Sequence, residues 1–245
     1  MLLMSTAKIA LAPLTPSASS LAENVLARVR TAVHDGVLSS GELYSVYQLA
    51  EALGVSRSPA REALLRLAEI GLVRFERNRG FRIVLPSPHE IAEVFAIRLA
   101  LELPAVRRVA RDSHPAMNAA LGAQLTAMEH SSHAGDERLF SVQDQRLHDL
   151  ILAAAGNNRS RAIVNELRDT TRLLGATSAG RSRALSDIHA EHRPIAEAIA
   201  EGDQDAAAAA LRWHIVHTGR LLVHQLARDE GHAQAIWSEH IDAPG

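Results

Sequence analysis

The sequence predicts a mainly helical protein, with an N-terminal winged helix-turn-helix carrying a small β-hairpin wing and a larger C-terminal all-α antiparallel bundle. Three observations carry this prediction. Between Gln48 and Gly80 an apolar helical face, a glycine stop and a second capped helix precede two stretches of strand period. The composition is 47% hydrophobic but only 3% aromatic, which points to helices rich in Ala and Leu. Beyond Pro88 the helical pattern persists to about Arg228, broken only where capping residues stand.

The N-terminal stretch MLLMSTAKIALAPLTPSASS holds one lysine and a six-residue apolar patch broken by Pro13. That patch is shorter than the apolar core of a signal peptide, about 7 to 15 residues. Residues 1–18 therefore read as a disordered tail of a cytoplasmic protein, ahead of a head domain at 19–85.

Within the head, Leu49, Ala50 and Leu53 form an apolar face that ends at Gly54, a residue able to take positive φ and stop a helix. After a short turn, Ser58 is expected as the N-cap of the next helix and Pro59 as its first residue, where a missing N–H costs nothing. Ala60, Ala63, Leu64 and Leu67 give that helix its apolar stripe. Arg57 and Arg61, four apart, flank Ser58 on the opposite side. In a helix-turn-helix this end of the second helix enters the major groove of DNA. An isolated arginine pair would read as a solvated helix face, but turn, cap and wing agree here.

The wing follows. Val73 and Phe75 alternate with Arg74 and Glu76, and Phe81 and Ile83 with Arg82, around turn residues Asn78, Arg79 and Gly80. Arg77, Arg79 and Arg82 gather at or near the tip, suited to phosphate or the minor groove. Charge supports the division of labour. The chain carries a net −2, yet residues 1–85 hold ten Lys/Arg against seven Asp/Glu, while the remainder holds sixteen against twenty-one. The basic half is the half that reads DNA.

Pro86, Ser87 and Pro88 mark a linker at 86–89, followed by a bundle at 90–230 and a C-terminal tail at 231–245. Helices are expected at 89–112, 116–131, 136–155, 158–174, 186–201 and 203–228. Gly156-Asn157-Asn158, the loop 175–184 and Gly202-Asp203 separate the later ones. Pro104 is expected to kink the first bundle helix, and Pro194 to delay the start of the fifth to near His192. No apolar run approaches the roughly 20 residues of a membrane span. The absence of cysteine excludes disulfides and thiolate metal sites.

One pair in the bundle bears chemistry. Asp144 and His148 stand four apart, so one helix face presents both side chains to a single ion. His192 and His214 lie on the last two helices. Taken singly, each of the thirteen histidines reads more simply as a surface or core residue.

The segment GVSRSPAREALLRLAEIGLVRFERNRGFRI resembles the winged helix-turn-helix signature of GntR-type bacterial transcription regulators. That resemblance, spanning about Leu21 to Leu85, implies that Arg57, Ser58 and Arg61 contact the major groove, with Gly80 as the wing glycine and Arg79 beside it. A second resemblance covers about residues 90–228. Arg98-x-x-x-Glu102, Asp144-x-x-x-His148, AAAGN ending at Asn157, Glu191-His192, Gly202-Asp203 and His214 are similar in order and spacing to the FCD effector domain of the FadR branch. It implies that Asp144, His148, His192 and His214 ligate a metal and that Arg98 meets the carboxylate of an effector.

One carboxylate and three imidazoles suit zinc first, with nickel, cobalt and manganese also compatible. The implied protein is a homodimer that binds a pseudo-palindromic double-stranded DNA operator and responds to a small carboxylate or sugar acid, with repression as the family default. It is not an enzyme. Two alternatives stay open: a metal-independent FadR-like regulator sensing an acyl thioester, and a metal-dependent hydrolase. The hydrolase is disfavoured by the absence of H-E-x-x-H.

Overall fold

The computed structural model describes residues 6–14, 20–69, 71–84, 86–173 and 183–242. The chain divides into two compact units, with the main division in sequence between Pro86 and Ser87 and a short segment from Thr170 grouped with the first.

The first unit contains α1 (Leu21–His34), β1 (Leu43–Tyr44), α2 (Val46–Leu53), α3 (Arg57–Glu69), β2 (Val73–Glu76) and β3 (Gly80–Ile83). Its core is drawn from every element: Val25 and Val29 of α1, Leu49 and Leu53 of α2, Leu64 and Leu67 of α3, and Tyr44, Val73, Phe81 and Ile83 of the sheet. Ser20 and Glu23 form a reciprocal capping box that starts α1. Gly54 ends α2 at φ 68°, as its position after Leu53 predicts. The expected helix start is corrected by two residues. α3 begins at Arg57 rather than after Ser58, so Ser58 and Pro59 both lie in its first turn. Pro59 is tolerated there because first-turn N–H groups have no intrahelical partner.

The wing is the antiparallel pair β2–β3, in which Phe75 faces Phe81 and Val73 faces Ile83. No sequence pattern announces β1, which adds a third strand in the order β1-β3-β2. Two residues are too few to show a period.

The expectation of a disordered tail over 1–18 is also corrected. The Ala7 amide donates to the Leu43 carbonyl at 2.8 Å and the Leu14 amide to the Leu53 carbonyl at 3.0 Å. Ala7, Ile9, Leu11 and Leu14 pack against the core, so residues 6–14 form a strap held by apolar burial. The remaining tail positions lie outside the described residues.

The second unit is helical: α4 (Pro88–Arg111), α5 (Pro115–His133), α6 (Glu137–Ala154), α7 (Asn158–Leu173), α8 (Leu185–Glu201), α9 (Gln204–Leu226), α10 (Glu230–Trp237) and a π-helical turn Ser238–Asp242. α4 and α9 form its central pair, with α8 on α9, α5 against α6 and α8, and α6 against α4. The linker is shorter than expected. Ser87 caps α4 in a capping box with Glu90, and Pro88 is its first residue, so this proline starts a helix instead of forbidding one.

Pro194 lies inside α8, which begins at Leu185 and not near His192. The loop 175–184 falls largely outside the described residues. Gly156 (φ 75°) leads into Asn157, whose side chain accepts from the Ser160 amide at 3.1 Å, and Gly202 (φ 76°) leads into the Asp203 cap of α9.

The expected tail at 231–245 is instead helical through Asp242. Trp237 is 1% exposed and sits 6.5 Å, ring to ring, from Phe95. Gly219 of α9 makes this possible: a Cβ there would come within 2.7 Å of both aromatic rings. No helix among the described residues is long and apolar enough to cross a membrane.

Candidate functional site

The first unit presents Arg57, Ser58 and Arg61 as exposed side chains on the first turn and a half of α3. The apolar residues Ala60, Ala63, Leu64 and Leu67 anchor the opposite face in the core, which fixes how the arginines are presented. Both guanidinium groups lie over aromatic rings, Arg57 at 5.0 Å from the centre of Tyr47 and Arg61 at 5.7 Å from that of Phe75. Stacking of this kind restricts the guanidinium without consuming all its donors. Sequence reasoning assigns neither ring a role, since a stacking partner from another element leaves no local pattern.

At the wing, Arg77 and Arg79 are exposed. Arg82, grouped with them by its place in the sequence, is tied back instead: it bonds Glu76 at 3.2 Å and donates to the Gly41 carbonyl. Gly80 takes φ 131°, and a Cβ at this position would overlap the Tyr44 carbonyl oxygen. Its glycine identity therefore serves the close approach of β3 to β1.

The second unit brings Asp144, His148, His192 and His214 together from α6, α8 and α9, one ligand atom from each lying within 4.8 Å of the others. The three histidines are buried. Each ring is oriented through Nδ1. His148 Nδ1 lies 2.7 Å from a Glu102 oxygen, His192 Nδ1 2.7 Å from the Ile188 carbonyl, and His214 Nδ1 2.8 Å from a Glu191 oxygen. The Ile188 carbonyl can only accept, so His192 carries its proton on Nδ1. The two glutamates favour the same tautomer for their partners. Each Nε2 is thereby left as a lone-pair donor.

These donors converge. The Nε2 atoms of His148 and His192 are 3.4 Å apart, and His192 Nε2 is 3.0 Å from Asp144 Oδ1. Lone pairs at such separation require a proton or a cation between them. Nδ1 bound to an acceptor and Nε2 aimed inward is also how metal-bound imidazoles are held. The donor set thus fits a divalent transition metal.

The surrounding charges complete the arrangement. Arg98 Nε donates to Glu102 at 2.8 Å, both groups being almost wholly buried, and Arg183 donates to Glu191 at 2.6 Å. Arg168 of α7 donates to Asp144. Burial would raise the Asp144 carboxyl, but the Arg168 charge beside it holds it well below the usual carboxylate range. The same balance keeps Glu102 ionised, because Arg98 and His148 outweigh its burial. Burial, reinforced by the Arg168 charge, lowers His148 to about 4. Burial beside the other two imidazoles pushes His214 well below its ordinary value. Both rings are therefore neutral at physiological pH and able to donate to a metal.

Arg98 sits at the edge of this cluster with its Nη2 buried and without a hydrogen-bond partner. The Arg168 Nε is in the same condition. Leaving such donors unmet is costly, which makes them candidates for a ligand's oxygens. His189 and His217, each three residues from an expected ligand, are not among the four converging groups, although His217 Nε2 lies 3.8 Å from the Glu191 carboxylate that orients His214. His189 has Leu125 and Glu129 of α5 as neighbours, and His217 stacks on exposed Trp213 with ring centres 4.8 Å apart.

Comparison with known proteins agrees with both units. Residues 21–83 match the profile of bacterial regulatory proteins of the gntR family, and residues 93–217 match the FCD domain. The HTH-type transcriptional regulator YdhC of Bacillus subtilis (strain 168) is 30% identical over 203 residues, covering 81% of this chain and 89% of that protein. A probable D-xylose utilization operon transcriptional repressor of Paenarthrobacter nicotinovorans is 30% identical over 183 residues, covering 75% of this chain and 80% of the relative. Among solved structures, a GntR transcriptional regulator from Rhodococcus sp. RHA1 superposes with a TM-score of 0.66 at 22% identity, over 84% of this chain and 98% of its own. The chain belongs to the GntR family of bacterial regulatory proteins, DNA-binding transcriptional regulators, and carries the FCD domain as its second unit.

Proposed function

We propose that the protein is a cytoplasmic, homodimeric repressor that releases a pseudo-palindromic operator when a small carboxylate or sugar acid binds at a metal in the FCD domain. The observation that carries this reading is the inward convergence of three Nδ1-anchored imidazoles and the Asp144 carboxylate, beside the unpartnered buried donor of Arg98.

Asp144, His148, His192 and His214 would hold the ion, zinc being the first choice for this donor set and nickel, cobalt or manganese the others. When bound, the metal supplies open coordination positions that an acid's oxygens can take in place of water. Arg98, held by Glu102 through Nε, would meet the same carboxylate with its unpartnered Nη2, and Glu102 in turn orients His148. One glutamate therefore links the proposed effector residue to a proposed ligand. The P. nicotinovorans relative, named for a sugar utilization operon, fits a sugar-derived acid as effector. In the first unit, Arg57, Ser58 and Arg61 would read base edges, with Arg79 and the Gly80 backbone at the wing. An effector can shift DNA binding only by preferring one of two arrangements of the dimer.

A thermal-melt screen against small carboxylates and sugar acids, run metal-loaded and again after chelation, tests the proposal. An acid at a hundred times its dissociation constant should stabilise the protein by about 2.7 kcal/mol. The stabilisation should vanish with the chelator. A shift that survives chelation would replace this reading with a metal-independent effector.

A further inference from the structure

A second group of ligating side chains lies elsewhere in the second unit, where the first turn of α4 meets the C-terminal π-helical turn. His89 Nδ1 is 3.2 Å from His240 Nε2, and Glu239 offers a carboxylate oxygen within 4.8 Å of both. Metal–nitrogen bonds of about 2.0–2.1 Å place adjacent ligands roughly 3 to 3.4 Å apart. The 3.2 Å spacing matches the bite of two cis imidazoles on one ion, as well as an N–H···N hydrogen bond between the rings. The rings are set nearly perpendicular, 81° between planes, so their nitrogens meet without stacking.

A third imidazole adjoins them. His232 of α10 lies edge-on to His89 with ring centres 6.5 Å apart, and its Nδ1 is buried without a hydrogen-bond partner. The N-terminal end of α4 opposes a cation through its dipole, but Glu90 in the same turn and Glu239 across from it offset that field. The neighbouring acid Asp242 is engaged by Arg220 at 3.1 Å and is not available as a ligand.

We infer that His89, Glu239 and His240 form a second divalent transition-metal site, independent of the buried cluster, that clasps the C-terminal segment to the first turn of α4. Imidazole and carboxylate donors with solvent access leave remaining coordination positions to water. The physical gain is closure of a loop of about 150 residues between the ligands, with the ion acting as a cross-link. Removal of the ion would loosen α10 and the π-helical turn before the rest of the unit.

Untagged full-length protein dialysed to equilibrium against Zn(II), with bound metal counted by elemental analysis, tests the inference. Wild type is expected to hold two ions per chain. His240→Ala and His89→Gln should each hold one, Asp144→Ala should hold one, and the pair His240→Ala with Asp144→Ala none. His130→Ala, altering an exposed histidine elsewhere, should leave the count at two. Equal counts for wild type, His240→Ala and His89→Gln would overturn the second site whatever Asp144→Ala does. Loss of an ion in His240→Ala, with Asp144→Ala unchanged from wild type, would support it while overturning the buried cluster as a metal site.

Discussion

Glu102 serves the cluster without being one of its four converging groups: one oxygen accepts from Arg98 and the other from His148. Glu102→Gln removes the charge that compensates Arg98 and weakens the orientation of the imidazole. We expect a drop of about 10- to 100-fold in zinc affinity, measured by competitive titration, with helical circular dichroism retained. The same scale shows how far the sequence is legible. Asp144 and His148 can be paired from spacing alone, since four residues bring side chains to one helix face. Arg168 and Arg183 cannot, because Arg168 reaches Asp144 from another helix and Arg183 reaches Glu191 from ahead of its helix, at separations of 24 and 8 residues that no i, i+3 or i, i+4 pairing covers. Arg82 escapes for a related reason: alternation shows which face a strand residue takes, but not whether a neighbouring carbonyl captures it.

At the scale of elements, caps and stops are the readable part. Gly54, Asn157 and Gly202 each act where a helix must begin or end, whereas the cap Ser87 is hidden in what reads as linker. Prolines mislead, since Pro88 and Pro194 sit within helices whose remaining hydrogen bonds and packing sustain them. The least legible elements are β1 and the C-terminal α10, both short and both dependent on tertiary burial. Their importance follows from that burial. Trp237→Ala removes an indole packed on Phe95 and Gly219 and should destabilise the second unit by about 3–5 kcal/mol. Denaturant unfolding of the variant checks this, and an effect below about 1 kcal/mol would mean that α10 is only loosely attached.

For the whole molecule, charge is distributed according to task, and salt dependence is the corresponding observable. Arg79 at the wing is assigned a positioning role and Arg61 on α3 a reading role, both under the proposal above. Arg79→Ala should weaken binding uniformly across DNA sequences and reduce the slope of log affinity against log salt by about one for each phosphate that is no longer neutralised. Arg61→Ala should instead cost about 1–3 kcal/mol and relax preference at one base pair in each half-site. Electrophoretic shifts over a salt series, on the operator and on scrambled DNA, separate the two. Identical slopes and equal weakening on both DNAs would remove the distinction.

The buried cluster is assembled from imidazole and carboxylate alone, in a chain without cysteine. Thiol oxidants and disulfide exchange have nothing to attack there. Under the reading proposed above, any response of the site to oxidants would have to come through the ion it holds and not through sulfur chemistry of its ligands.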